Sequence, residues 1–277
     1  MNGQRELERK VAQLVDRLPL FPHDIDSLLT TAVKPIENDA RLLRLIENEP
    51  ELWTELLRLA GSFYGAPYKV ETPAVGVKRI GVQPLVQLIG ISYARKTIQE
   101  EFSSLRYLNE YFDHSEDISA GCYILAEACA ALQGEREIYA VAGLIHDIGR
   151  LAIIAAKGVT GAHVLGTLWD KMVSVVYDER SSLSTDHCEV GKWICRKWNF
   201  SPIIQEAVLR HHSPLVDGDF SFPGALVFVA HFLSASDPSG EIISTLSAAE
   251  VLANMKMSLE DFDRARKVYM SRRKKGS

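Results

Sequence analysis

Apolar residues recur along this chain every three or four positions, the spacing that lines one face of an α-helix. In LERKVAQLVDRL, residues 7–18, the stripe is Leu7, Val11, Leu14, Val15 and Leu18. LPLFPHD, 18–24, interrupts it with two prolines, and Ile25, Leu28, Leu29 and Val33 resume it. IENEPELWTELLRLAG, 46–61, predicts a helix with Pro50 near its start, where the missing N–H is harmless, and Gly61 at its end. Short helices follow over TPAVGVKRIG, 72–81, and VQPLVQLIGISYARKTI, 82–98. Further helices are predicted within 105–133, over 137–156, and over 186–198 from a cap at Thr185 or Asp186. SPIIQEAVLRHH, 201–212, has Ser201 as N-cap and Pro202 at the first helical position. PGALVFVAHFLSAS, 223–236, and SLEDFDRARKVYM, 258–270, complete the set, the latter opening on a Ser258/Asp261 capping pair. No stretch alternates with period two, and no repeat or low-complexity segment appears, so the pattern predicts an all-α, multi-helix bundle.

One segment breaks its own pattern. AGLIHDIGRLAII, 142–154, is apolar at Ala142, Leu144, Ile145, Ile148, Leu151 and Ile153, yet carries His146, Asp147 and Arg150. An unpaired carboxylate buried there would cost several kcal/mol or more, so Asp147 needs a partner: Arg150, a hydrogen-bond network or a metal ion.

Composition narrows the field. A length of 277 residues allows one large domain or two smaller ones, and 47% apolar with 24% charged residues describes an ordinary globular chain. A formal charge of −5 gives no broad basic surface, and no DNA or RNA partner is expected. RRKK, 272–275, reads as a solvated terminus. The charged start does not resemble a secretion signal, and no run approaches the roughly 18 apolar residues of a membrane span. Cys122, Cys129, Cys188 and Cys195 form no CxxC. Their spacing puts each pair on one helical face, as buried apolar residues of a reduced, cytoplasmic protein. GVTGAHVLG, 158–166, reads as a loop, and no G-x-S-x-G elbow or Walker-type loop is present.

The chain has eight histidines. His114, His146, His187, His211, His212 and His231 lie on or at the ends of five successive predicted helices. A bundle can aim such side chains at one centre. Imidazoles with a carboxylate suit iron, manganese, nickel or zinc, and the lack of a thiolate cluster argues against a structural zinc knuckle. One carboxylate can serve two ions, so one or two divalent transition-metal ions are expected. Arg150, three residues from Asp147, is within reach but leaves the other histidines unexplained.

These residues resemble the HD superfamily of metal-dependent phosphohydrolases. FDHSEDISAGCYILAEAC is similar to the first-histidine helix, VAGLIHDIGRLAI to the His-Asp doublet helix, and DHCEVGKWICRKWNFSPIIQEAVLRHH to the segment of later histidines. His231 stands where that superfamily normally has an aspartate. The N-terminal half, from LPLFP through IENEPELWTELLRLAGSFYGAPYKVETPAVGVKRIG, resembles HDOD signalling proteins. Glu49 replaces an aspartate of that pattern, Gly61 an asparagine, and Ile80-Gly81 a Leu-Gly. The resemblance implies an N-terminal HDOD helical subdomain, 1–104, and an HD-like metal-binding subdomain, 105–277. The pair at 211–212 also resembles HD-GYP phosphodiesterases, but HHSPLVDGDFSFPG lacks their glycine-tyrosine-proline signature, and Arg150 stands where they commonly have lysine.

By that resemblance, one ion would be held by His114, His146, Asp147 and His231. A second would share Asp147 and add His187, His211 and His212. Asp147 and Arg150 are the implied catalytic residues, with Arg150 on a phosphate oxygen or, alternatively, in a surface salt bridge. Three roles stay open: a phosphohydrolase or phosphodiesterase acting on a phosphorylated nucleotide, a non-catalytic module working through a regulatory protein partner, and a ligand sensor.

Overall fold

A computed structural model describes residues 2–31, 35–64, 72–105, 108–129, 132, 135–158, 175–234 and 246–276. The chain is all-α, as its periodicity predicts. In order the helices are α1 (Asn2–Arg17), α2 (His23–Thr31), α3 (Pro35–Asn48), α4 (Pro50–Tyr64), α5 (Pro73–Ile80), α6 (Val82–Glu101), α7 (Leu108–Ala128) and α8 (Arg136–Ile145). There follow α9 (Ile148–Lys157), α10 (Val175–Leu183), α11 (His187–Lys197), α12 (Pro202–Arg210), α13 (Phe222–Ser234), α14 (Leu246–Asn254) and α15 (Leu259–Gly276). Val33, Gly161, His163 and the loop after Gly158 lie outside the described residues.

Several boundaries differ from the pattern, each for a local reason. Ile46 to Asn48 end α3, and Pro50 opens α4, because the residue before a proline is pushed out of helical geometry. Gly61 does not stop α4; it keeps an ordinary negative φ and the helix continues to Tyr64. Gly158 does stop α9, in the left-handed region at φ 63°. Ser201 occupies the N-cap of α12 without a side-chain capping bond; its backbone N–H instead donates to Gln87 Oε1 at 3.0 Å. Asp186 caps α11 by accepting from Glu189 N at 2.9 Å. Ser258 and Asp261 form the expected reciprocal box at the start of α15.

Two features escape the period entirely. Leu215–Val216 (β1) and Asp219–Phe220 (β2) pair as a small antiparallel hairpin. Two-residue strands are too short to show alternation. Their turn residues Asp217 and Gly218, both with positive φ, match the twist of a tight hairpin. The helix expected over 137–156 is also broken, into α8 and α9, at the His146-Asp147 doublet. Asp147 leaves helical geometry at φ −97°, ψ 10°. The whole stretch Arg136–Lys157 is apolar and long enough to cross a membrane, but 94% of its most apolar window is buried inside the fold.

The core runs without interruption across residue 104. Phe21 stacks on Trp198 with ring centroids 5.0 Å apart and planes at 18°. Trp198 Nε1 donates to Pro19 O at 3.0 Å, and Phe21, Trp198 and Phe200 share one buried cluster with α4, α6, α7 and α8. All four cysteines are buried and unpaired, as their spacing suggests.

Candidate metal centre

Four helices and one break supply the polar core. α7 carries His114, the α8–α9 break supplies His146 and Asp147, and His187 is the first residue of α11. His211 and His212 follow the last residue of α12, and α13 carries His231. Two glycines permit this assembly. A Cβ on Gly143 would lie 2.8 Å from Ser119 Cα, so glycine there lets α8 close on α7. At Gly149 a Cβ would lie 2.5 Å from Gly191 N and would meet the His187 carbonyl. That contact brings the start of α11 beside Asp147 and explains a glycine two residues after the doublet's aspartate.

The structure brings together all six imidazoles and the carboxylate. Asp147 Oδ2 lies 3.3 Å from His146 Nε2 and 3.6 Å from His114 Nε2. Its other oxygen, Oδ1, lies 3.4 Å from His187 Nε2 and 3.4 Å from His211 Nε2. Donor atoms of Asp147, His187, His211 and His212 fall within 4.8 Å of one another, as do those of His114, His146 and His231. The carboxylate thus turns one oxygen toward each half of the cluster.

Outer contacts aim the rings. The carbonyls of Gly143, Val208 and Val227 accept from Nδ1 of His146, His211 and His231 at 2.9, 2.8 and 2.8 Å. A neutral ring with its proton on Nδ1 keeps a lone pair on Nε2, pointing inward. His187 Nδ1 lies 2.6 Å from Glu179 Oε2, which also accepts from the His187 backbone N–H at 2.8 Å. His187 and His211 therefore face each other Nε2 to Nε2 at 3.2 Å.

The donor set fits a metal ion. His146 Nε2 is buried without a hydrogen-bond partner among the described residues, a costly arrangement unless a cation takes its lone pair. Bonds of about 2.0–2.1 Å to one ion place neighbouring donors about 2.9–3.4 Å apart, the range of the 3.2–3.4 Å separations here.

Electrostatics agree. Burial alone would raise the Asp147 carboxyl, but Arg150 and the surrounding imidazoles hold it well below the usual carboxylate range. Burial lowers His114 and His211 and pushes His212 and His231 well below the ordinary imidazole value. Burial thus favours the neutral form of these four rings, the form that ligates metals.

Arg150 is not a surface residue. It is 4% exposed, its Nε donates to Asp147 Oδ1 at 2.7 Å, and its Nη2 lies 3.2 Å from His212 Nε2. Asp147 therefore has both a guanidinium partner and an imidazole ring around it, where the sequence presented these as alternatives. Glu179 is the residue that pattern reading missed. It lies on α10, eight residues before His187, and the chain reverses between them at Ser184 with φ 63°. No helical spacing connects the two.

The HDOD domain family matches residues 18–214. The chain belongs to the HDOD family. The HDOD fold is shared with the "Putative phosphohydrolase" from Shewanella amazonensis SB2B: TM-score 0.67, 21% identity, covering 95% of this chain and 93% of that one. An HDOD domain protein with unknown function from Geobacter sulfurreducens gives TM-score 0.66 at 18% identity, covering 97% of each chain. An uncharacterized protein of Treponema pallidum (strain Nichols) is 22% identical over 227 residues, 76% of this chain. This HDOD chain spans 40% of that relative's length.

Proposed function

We propose that this HDOD protein is a signalling module with a His/Asp metal centre that hydrolyses a phosphate ester of a nucleotide or cyclic nucleotide. The observation that carries the reading is the position of Asp147. One carboxylate turns an oxygen toward each of two groups of imidazoles, three on each side. A divalent ion of iron, manganese, nickel or zinc supplies Lewis acidity to the phosphoryl group and lowers the pKa of water. Of the chain's own residues, His114, His146, His231 and Asp147 Oδ2 hold one position, and His187, His211, His212 and Asp147 Oδ1 the other. Backbone carbonyls fix the rings of His146, His211 and His231, and Glu179 fixes that of His187. The site needs no nucleophilic side chain. In the segment after His212 the hairpin β1–β2 replaces the substrate signature of HD-GYP enzymes, which argues against a cyclic dinucleotide as the substrate.

A second reading has its own observation. Six of the seven donor residues are no more than 9% exposed, a depth suited to a structural ion in a regulatory module that acts through a protein partner. One experiment separates the two. Metal-loaded full-length protein and a His146→Ala/Asp147→Ala variant are assayed on a panel of nucleotide esters and cyclic nucleotides, with thermal melting alongside. Turnover confined to the parent protein supports hydrolysis. Absent turnover, with a melting temperature that falls on chelation, overturns hydrolysis in favour of the structural ion.

A further inference from the structure

The two halves of the centre are not equivalent, and Arg150 is the reason. Its guanidinium is buried beside the doublet, with Nε on Asp147 Oδ1 at 2.7 Å and Nη2 at 3.2 Å from His212 Nε2. Arginine only donates and does not lose its charge. For Nη2 to donate there, His212 must present the Nε2 lone pair to the guanidinium, which leaves the proton on the buried Nδ1. Asp147 Oδ1 is also the oxygen lying 3.4 Å from both His187 Nε2 and His211 Nε2. Two of the four donor residues on this side are thus already engaged by a fixed positive charge. On the other side Oδ2 is the oxygen nearest His146 and His114, and His231 is oriented by a carbonyl, not by a cation.

We infer that the Arg150 guanidinium is a built-in competitor for the ion at the His187/His211/His212 half of the centre. The chain then takes one divalent ion tightly, at His114, His146, His231 and Asp147 Oδ2, and a second ion only weakly. This inference rests on the metal-binding reading above. A second ion must either share Asp147 Oδ1 beside the guanidinium, at the cost of like-charge repulsion, or displace a buried arginine from its carboxylate. The two ions therefore differ in affinity although their imidazole counts are equal.

The test is a cobalt(II) titration of the metal-stripped full chain, followed by visible absorbance and by metal counting. The parent protein is expected to bind one ion tightly and a second at least about tenfold more weakly. Arg150→Met removes the charge at similar side-chain volume and is expected to bring the two affinities together. Should that variant fail to fold, single ligand variants carry the test. His231→Ala is expected to remove the tight ion, and His212→Ala to leave it in place. Two ions of equal affinity in the parent, or loss of the tight ion in His212→Ala as complete as in His231→Ala, overturns the inference. A parent protein that takes up no cobalt at all overturns the metal-binding reading itself, a result distinct from either.

Discussion

Asp147 concentrates the residue-scale physics of this chain. Its carboxylate is buried among apolar side chains, yet it stays ionised because a guanidinium and four imidazoles surround it. The neighbouring rings make the opposite adjustment: burial depresses His114, His211, His212 and His231. A histidine with a depressed folded-state pKa binds fewer protons folded than unfolded, so stability rises with pH up to the unfolded value. The metal-stripped protein is accordingly expected to lose melting temperature as pH falls below about 6.5, and a melting series across that window checks it. Asp147, depressed as well, adds a further loss nearer its own ordinary range, in the same direction. Glu179 belongs to this scale too. Glu179→Gln keeps the volume but removes the charge holding His187 Nδ1, and it is expected to weaken metal binding by about 10–100-fold. Competition with a chromophoric chelator measures that change, and an unaltered far-ultraviolet dichroism spectrum confirms the fold is intact.

At the scale of elements, the decisive feature is the broken helix at the doublet. A continuous helix over 137–156 would fit the apolar spacing, but Asp147 adopts a non-helical conformation and α9 restarts at Ile148. The restart allows Gly149 to lie against the His187 carbonyl and Gly191 N. Backbone on the opposing side cannot yield as a flexible side chain would. Gly149→Ala is therefore expected to destabilise the protein by about 1–3 kcal/mol and to lower metal uptake, because the displaced α11 carries His187. Chemical denaturation together with metal counting tests both parts. Retention of full uptake would show that the approach of α9 and α11 does not position the histidine. Helix starts were legible in the sequence where a capping residue or a proline acts within one turn, as at Asp186, Pro202 and Ser258. Gly61 was misleading because a glycine ends a helix only when the chain reverses there, and at Gly61 it does not.

For the whole molecule, the packing of Phe21 and Trp198 matters most. It fastens the segment before α2 to the turn between α11 and α12, so the N-terminal helices and the metal-bearing helices share one core. Trp198→Ala is expected to cost about 3–5 kcal/mol, seen as a lower denaturation midpoint. Because the core is continuous, the N-terminal and metal-bearing halves should unfold together, which fluorescence and metal release recorded on one sample would show. By itself the sequence determined the all-α class, the caps at Asp186 and Ser258 and the burial of the cysteines, and it singled out the six histidines and Asp147, since each follows from composition or from spacing within a few turns. Tertiary structure decided how those donors divide around the two oxygens of Asp147, the burial of Arg150 against that carboxylate, and the role of Glu179. Those facts depend on helices meeting at glycines far apart in the chain, and a helical period carries information only about residues on the same helix.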